Sequence, residues 1–452
     1  MELLFKRDIK LVILVVSVFL GVGSAIIGTK IKGEYLIYTL FLALILSVII
    51  LGIIKSMKTH GYLDILSPYV FFPMMYLVIY GVGPHKALGI SEEIGALALQ
   101  IIGGGFLAFL LGALLMSAIL LKKSNETKVI IKEVTPDFEK RLSRISKIAF
   151  LIGTVAMLMF YVNARGIPIL MSDLENSRVT ALSGNGISYY LSMLIMISVW
   201  VYFLKEKKTS SKLLFLGIGM AFLLSTGWRN TAVALLLVCV LMYHYQRPIP
   251  FRKLAITGIT IVIVIAVTGL FRIYSSDLQT YELMQMMMKG NYVQAFFAYL
   301  YNYPVVFTDN LLLVLNGFSD PNMYLHGRSF FWNFGLIIPG VNLEAFDFYL
   351  KDYLRVGFAG GGLPPTLLGD FYLNFGYTGV YIGMVMMGLL WTYLHYIFMM
   401  NKRNITGLTA LIILYYLSVS IRGGIENITL ITTWLLLSLY GLLFFSRINS
   451  FR

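Results

Sequence analysis

Repeated long apolar runs are the feature that most constrains this chain. A helix needs about 20 apolar residues to cross the hydrocarbon core of a bilayer, and runs of this kind recur along the sequence. Only 13% of the residues are charged, against roughly 25% in soluble proteins. The sequence predicts an all-α polytopic membrane protein with about twelve transmembrane helices, at 11–28, 35–54, 65–83, 95–121, 148–163, 187–204, 213–226, 230–245, 254–271, 376–399, 406–421 and 428–446.

The distribution of Lys and Arg predicts the orientation of these helices. With the N-terminus in the cytoplasm, 24 of the 36 basic residues fall on the cytoplasmic side, as the positive-inside rule requires. Both termini are then cytoplasmic. The net charge of +14 is mostly this topology signal, so we expect no nucleic-acid partner.

A long external segment, 272–370, separates predicted spans nine and ten. About a fifth of its residues are Phe, Tyr or Trp, too many for a disordered linker. We expect a large external loop of amphipathic and re-entrant helices, with candidates at 281–300 and 304–317, and irregular backbone at Gly360–Pro365. The predicted organisation is spans one to nine in 1–271, with a cytoplasmic connector at 122–147, then the loop, then spans ten to twelve in 371–452.

Several function classes lack support in the sequence. No GxxxxGK[ST] motif is present, so neither ATP-driven transport nor a nucleotide-sugar transferase is indicated. The predicted external side has no HExxH, DxD or clustered His and Asp, so we expect neither a metal site nor a cofactor. Cys239, the single cysteine, is interpreted as a buried apolar residue.

Arginines are frequent on the external side, where positive charge should be scarce. Seven of the twelve basic residues there are arginines: Arg165, Arg178, Arg229, Arg272, Arg328, Arg355 and Arg422. A guanidinium binds phosphate oxygens in pairs and stays charged when partly desolvated. Any single arginine could instead reach the lipid headgroups or pair with a carboxylate such as Glu426. Together they predict an anionic ligand at the external mouth of the bundle.

Proton transfer at such a site needs a base, and two external residues are candidates. His326 lies two residues before Arg328, and Asp370 lies where the loop re-enters the membrane. Each also has a structural interpretation, His326 as an ordinary loop residue and Asp370 as a helix-start residue. Asp347 and Asp352 are further candidates with no better claim.

Four segments resemble the Wzy-type oligosaccharide repeat-unit polymerases, also called O-antigen polymerases. They are ARGIPILMSDLENSRVTALSGNG (164–186), STGWRNTAVALLL (225–237), LHGRSFFWNFGLIIPG (325–340) and PPTLLGDFYLNFGYTGVYIGMVMMG (364–388). The resemblance covers most of the chain from about 148 onward. Where that family often has a Glu before its NFG-type sequence, this chain has Asp370.

The resemblance implies a metal-independent, inverting glycosyltransferase of the cytoplasmic membrane with its active site on the external or periplasmic face. Its substrates would be undecaprenyl-pyrophosphate-linked oligosaccharides in the lipid bilayer, and a chain-length regulator protein is an expected partner. By motif position Arg178, Arg229, Arg328 and Arg422 would hold pyrophosphate; we add Arg272 and Arg355 as further candidates. Two alternatives stay open: an O-antigen ligase-type transferase, and a lipid-linked oligosaccharide flippase or transporter.

Overall fold

The described part of the chain is built from helices. A computed structural model describes residues 33–81, 92–124, 136–171, 181, 185–205, 208–274, 289–338, 343–357 and 361–448, and these contain no β-strand. The helices are α1 Gly33–His60, α2 Phe71–Tyr80, α3 Glu92–Ser124, α4 Pro136–Asn163, α5 Gly186–Ser192, α6 Leu194–Leu204, α7 Thr209–Ser225, α8 Arg229–Gln246, α9 Phe251–Tyr274, α10 Tyr292–Gly317, α11 Arg328–Trp332, α12 Phe346–Tyr353, α13 Thr366–Met400, α14 Ile405–Gly423 and α15 Glu426–Ile448.

Eight helices within these ranges are long and apolar enough to cross a membrane. They are Tyr38–His60, Glu93–Leu121, Asp137–Asn163, Gly186–Leu204, Phe251–Phe271, Thr366–Met400, Ile405–Gly423 and Ile428–Ser446. The predicted spans 65–83 and 213–226 correspond to the shorter apolar helices α2 and α7, and 230–245 lies on α8. The first predicted span, 11–28, lies outside the described residues. The polytopic all-α class is confirmed, and the total of twelve spans stays a prediction.

Helix α13 lies at the centre of the bundle, packed against α3, α10 and α14. Two glycines allow α3 and α13 to meet backbone to backbone. A Cβ at Gly112 would lie 2.1 Å from the Val385 carbonyl oxygen, and one at Gly388 would lie 2.1 Å from that of Phe109. In lipid, where apolar side chains gain little by meeting one another, such close approach through small residues holds helices together.

Helix α13 is broken near its N-terminal end. Gly376 has φ 63° and ψ −150°, a conformation that glycine adopts without a Cβ penalty. The break separates a short first segment, which carries Asp370, from the long remainder of the helix. Carbonyl groups at the end of the first segment then lack partners within the helix. The Leu325 N–H donates to the Leu373 carbonyl oxygen at 3.0 Å, and the His326 N–H donates to the Asn374 carbonyl oxygen at 3.2 Å.

One detail of the sequence prediction needs correction. The candidates 281–300 and 304–317 were predicted as separate helices on the outer leaflet. Within the described residues one helix, α10, runs through Pro304, and its second half is buried in the bundle. Residues 136–147 of the predicted connector form the start of α4, and the bounds of the connector stay a prediction. The irregular backbone before α13 is confirmed for the described residues 361–365.

Candidate functional site

Two carboxyl side chains lie together, fully buried, where α13 and α15 begin. Asp370 lies in the first turns of α13 and Glu426 is the first residue of α15, and both are 0% exposed. Their side chains share a hydrogen bond. Burial first, and then the neighbouring charge and hydrogen bond of Asp370, raise the pKa of Glu426 well above its ordinary range. Folding therefore favours the neutral acid at Glu426, because two adjacent buried carboxylates cannot both ionise easily.

Asp370 accepts further hydrogen bonds from three other parts of the chain. Its Oδ1 accepts from Ser329 Oγ at 2.5 Å and from Asn374 Nδ2 at 3.2 Å. Its Oδ2 accepts from the Ile425 N–H at 2.7 Å. The donors come from α11, from the next turn of α13 and from the α14–α15 turn, so this one carboxylate fixes the external segment and two spans relative to each other.

Asn374 connects the broken helix to the external segment. Its Nδ2 donates to Ser329 Oγ at 2.6 Å and to the Asp370 carbonyl oxygen at 2.7 Å, and its Oδ1 accepts from the Gly327 N–H at 2.7 Å. We name Asp370, Glu426, Ser329 and Asn374 the carboxyl cluster. All four side chains are buried.

His326 and Arg328 lie at the edge of this cluster and are exposed. His326 has φ 50°, an uncommon conformation for a residue other than glycine. Its N–H is held by the Asn374 carbonyl oxygen, and its ring lies 6.5 Å from that of Phe375. Arg328 is the first residue of α11, directly before Ser329. Residues 326–328 thus adjoin the residues that bond Asp370, and their imidazole and guanidinium are exposed.

Two of the predicted arginines meet at a pair of tyrosines on α10. Arg229, at the start of α8, donates to Tyr299 Oη and to the Ile265 carbonyl oxygen, both at 3.1 Å. Arg422, near the end of α14, donates to Tyr303 Oη at 2.5 Å, and its guanidinium lies 5.7 Å from the centre of the Phe307 ring. The rings of Tyr299 and Tyr303 are 6.0 Å apart. We name these four residues the arginine–tyrosine group.

The end of α14 connects the carboxyl cluster with the arginine–tyrosine group. Arg422 lies three residues before Ile425, whose N–H binds Asp370. Tyr80 ties the same helix end to the start of α13, because its hydroxyl donates to the Ile421 carbonyl oxygen at 3.0 Å and accepts from the Leu368 N–H at 3.4 Å. Cationic and acidic side chains therefore occupy one end of the bundle, which suits an anionic ligand with a group to be deprotonated.

A family model for O-antigen polymerases matches residues 63–290, half of the chain. The chain belongs to the O-antigen polymerase family. No curated protein and no solved structure gives a significant match. Family membership and the membrane helices together make this chain a membrane protein with a polymerase role in polysaccharide synthesis.

The matched region and the carboxyl cluster occupy different parts of this O-antigen polymerase. Of the predicted site residues, Arg178, Arg229 and Arg272 fall within 63–290. Asp370, Glu426, Arg422 and the larger part of the segment 272–370 follow it. The contacts of Tyr299 with Arg229 and of Tyr80 with α14 and α13 join the two parts.

The structure places the predicted site residues in different surroundings. Arg229 and Arg422 share the tyrosine pair, and His326 and Arg328 lie beside Asp370. Arg355 follows α12, is exposed and has φ 54°. Among the described residues, no contact joins it to the carboxyl cluster or to the arginine–tyrosine group. Arg178 lies outside the described residues, as does the side chain of Arg272. The roles of all these residues in the polymerase stay predictions.

Sequence reasoning missed most of the residues that position Asp370. Glu426 was considered only as a partner for an arginine, yet it bonds Asp370. Ser329 and Asn374 carry no motif of their own. The one available signal was the run RGGIEN, in which an acid directly precedes an apolar span.

A second polar group lies at the other end of α13. Asp64, which is 3% exposed, lies 2.9 Å from His395 Nε2 and accepts a hydrogen bond from the Tyr245 hydroxyl. Burial alone would raise the pKa of Asp64, but the charge and hydrogen bond of His395 outweigh it and lower the pKa to about 2. The 19 residues from Gly376 to His395 correspond to roughly 28 Å of helix, so this group lies at the opposite end of α13 from the carboxyl cluster.

Proposed function

We propose that this protein is a glycosyltransferase that polymerises undecaprenyl-pyrophosphate-linked oligosaccharide repeat units into a surface polysaccharide of the O-antigen or capsule type. The observation that carries the proposal is the buried pair of Asp370 and Glu426 at the same end of the bundle as Arg229 and Arg422. The pair offers a proton acceptor and the arginines offer a diphosphate site. Family membership supports the polymerase role.

The arginine–tyrosine group is the proposed diphosphate site. Guanidinium groups at the membrane surface bind phosphate oxygens and stabilise the charge that develops on a departing diphosphate. Tyr299 and Tyr303 hold the two guanidinium groups by hydrogen bonds to their hydroxyls. Arg178, Arg272, Arg328 and Arg355 are further candidates for the second lipid-linked substrate.

The proposed reaction is a displacement at the anomeric carbon of the growing glycan. The terminal sugar hydroxyl of a fresh repeat unit attacks that carbon from the face opposite the diphosphate, so the configuration inverts. The new C–O bond forms as the bond to the diphosphate oxygen breaks, and the electron pair leaves with the diphosphate. The hydroxyl proton passes to the carboxylate of Asp370, while protonated Glu426 keeps that carboxylate in place. No metal ion takes part in this scheme.

Substrate must reach a carboxylate that is now covered. Ser329 and the rest of 325–333 lie over Asp370, so the acceptor gains access when this segment moves from α13. His326 and Arg328, on the exposed side of the segment, would meet the incoming sugar first. His326 is the other candidate for the base. Comparing a variant of Asp370 with a variant of His326 decides between them.

The proposed location of the site is the external face of the cytoplasmic membrane, with both termini cytoplasmic. Support comes from the basic side chains at the opposite end of the bundle, among them Lys55, Lys402 and Arg403. Lys402 Nζ donates to the Tyr62 hydroxyl at 2.9 Å, beside Asp64. This charge distribution is the one expected for a cytoplasmic side.

Reconstitution in liposomes with purified undecaprenyl-pyrophosphate-linked repeat units tests the proposed function. A ladder of glycans on the lipid is the expected product. Transfer only to an added second acceptor would contradict polymerisation in favour of a ligase. Lipid translocation with no new glycosidic bond would contradict the glycosyltransferase.

Arginine variants test the diphosphate site in the same assay. Arg229→Gln and Arg422→Gln should each slow chain growth by at least about tenfold, since one charge-assisted contact contributes about 1.5–3 kcal/mol. Arg165→Gln, which removes an exposed arginine outside both constellations, is the matched control. Full-length ladders made at the unaltered rate by both variants would contradict a diphosphate site at the arginine–tyrosine group.

A further inference from the structure

A cationic pocket lies at the end of the bundle that carries Asp64, remote from the proposed polymerase site. It has a volume of about 510 Å³, and eight described residues line it: Leu204, Lys205, Lys208, Thr209, Lys212, Gln246, Arg247 and Arg403. Five of these are basic and none is acidic. Residues 206–207, Glu and Lys, lie outside the described residues and add no net charge.

Four parts of the chain supply these basic side chains. Lys205 follows α6, Lys208 and Lys212 begin α7, Arg247 follows α8, and Arg403 lies between α13 and α14. The pocket is therefore a product of the fold and not a basic run along one helix. Neighbouring antiparallel helices end and begin at this surface, and the turns between them surround the pocket.

Two of the lysines are buried, which is unusual for a charged side chain. Lys205 and Lys212 are 6% and 7% exposed. Lys205 Nζ donates to Ser143 Oγ at 2.9 Å, and Lys212 Nζ donates to the Phe203 carbonyl oxygen at 2.8 Å. These bonds hold the two ammonium groups in place at the wall of the pocket. An anion bound among five basic side chains would gain charge-assisted contacts with groups that are already oriented.

An apolar cleft adjoins the pocket at Lys205. It has a volume of about 400 Å³ and lies between α4, α6 and α7, where its lining includes Phe150, Leu151, Tyr202 and Phe215 besides Lys205. Leu151 is 65% exposed, and it lies on a membrane helix, so the cleft opens toward the hydrocarbon of the bilayer. Lys205 lines both spaces, and a molecule with an anionic head and an apolar tail could occupy both.

We propose that this pocket and cleft form a specific site for one anionic phospholipid, with the phosphate headgroup among the five basic side chains and an acyl chain along the cleft. Basic pockets between membrane helices bind such headgroups through charge and hydrogen bonds. A free phosphate would satisfy the pocket alone. The adjoining cleft is what favours the lipid, and it sets this site apart from the lipid-linked sugar site across the membrane.

Lipid binding to the purified full-length protein tests the proposal. Binding of dioleoylphosphatidylglycerol, of dioleoylphosphatidylcholine and of inorganic phosphate is measured by native mass spectrometry and by the shift in Tm. We expect the anionic lipid to bind and to raise Tm, and the zwitterionic lipid and phosphate to do neither at the same concentration. Equal binding of both lipids, or protection by phosphate equal to that by the anionic lipid, would overturn the proposal.

A triple variant of exposed residues locates the site. Lys208→Gln, Arg247→Gln and Arg403→Gln together should weaken the anionic lipid on the order of 100-fold, from the usual contribution of a basic residue near an anionic headgroup. Arg144→Gln, Arg252→Gln and Lys253→Gln form the control triple, since they remove equal charge from exposed positions outside the pocket. Equal affinity in the two triples would overturn the proposal.

A substitution in the cleft tests acyl-chain binding separately from headgroup binding. Leu151→Gln should weaken the anionic lipid and leave the basic side chains in place. Unchanged lipid affinity in this variant would contradict the acyl-chain part of the proposal, whereas loss in both this variant and the basic triple would support the whole site.

Discussion

Glu426 is the acid that hydrogen-bonds Asp370 in the carboxyl cluster. Its raised pKa means that folding favours the neutral acid. Folding stability from this group is then complete below its ordinary pKa of 4.5 and decreases as the pH rises from there toward the raised value. Glu426→Gln keeps a neutral donor, so it should remove this pH dependence while Tm at pH 4.5 stays close to that of the unaltered protein.

The matched comparison is Glu426→Ala, which removes the donor and leaves a cavity. We expect it to lower the free energy of unfolding by about 1–3 kcal/mol relative to Glu426→Gln. Tm measured over pH 4.5 to 8 for the two variants and the unaltered protein checks this. A Glu426→Gln protein with the same pH dependence as the unaltered protein would contradict a protonated Glu426.

Asp64 should show the opposite pH dependence. Its pKa is lowered from 3.8 to about 2, so its contribution is present above pH 3.8 and is lost as the pH falls through about 2. The shift corresponds to a contribution on the order of 2 kcal/mol at neutral pH. Asp64→Asn should lower stability at pH 6 and matter less near pH 2, as measured by chemical unfolding. Equal destabilisation at both pH values would contradict the ionised pair.

The break in α13 is the local element that shapes the site. A Cβ at Gly376 would lie 2.5 Å from the Tyr324 hydroxyl, and the backbone there has positive φ. Gly376→Ala should therefore cost about 1–3 kcal/mol of stability and disturb the bonds of Asn374 to the external segment. Loss of polymer length should accompany the loss of stability.

Gly103→Ala is the control for this prediction. Gly103 lies inside α3, where a Cβ meets nothing within 4 Å, so alanine should be neutral or stabilise by up to about 1 kcal/mol through its better helix propensity. Thermal unfolding in detergent compares the two variants. A Gly376→Ala protein as stable as Gly103→Ala would show that the helix does not need its break.

Elements that depend on local composition could be predicted, and those that depend on distant partners could not. Long apolar runs fixed the helical class because lipid offers the backbone no other partners. The continuity of α10 through Pro304 was missed, since proline usually ends a helix and tertiary burial of its second half overrides that tendency. The expected scarcity of positive charge on the external side pointed to seven arginines, Arg229 and Arg422 among them. That these two meet a pair of tyrosines on α10 follows from packing alone.

For the whole molecule, orientation is the prediction that the other functional assignments require. Single cysteines placed in a Cys239→Ser background report the side of the membrane. Asn322→Cys, at an exposed position within the external segment, should react with a membrane-impermeant maleimide in intact cells, and Arg403→Cys should react only after the membrane is opened. The reverse pattern would place the carboxyl cluster in the cytoplasm and contradict the proposed substrate side.

The most direct measurement of the central claim is the rate of chain growth by Asp370→Asn in liposomes. Asparagine keeps the size of the side chain but cannot accept the proton, so the account predicts a fall of at least about 100-fold. Tm should fall as well, because the amide leaves at least one of the donors to Asp370 without an acceptor. His326→Gln, measured alongside, should retain most of the rate. Chain growth by Asp370→Asn at the unaltered rate would contradict the account.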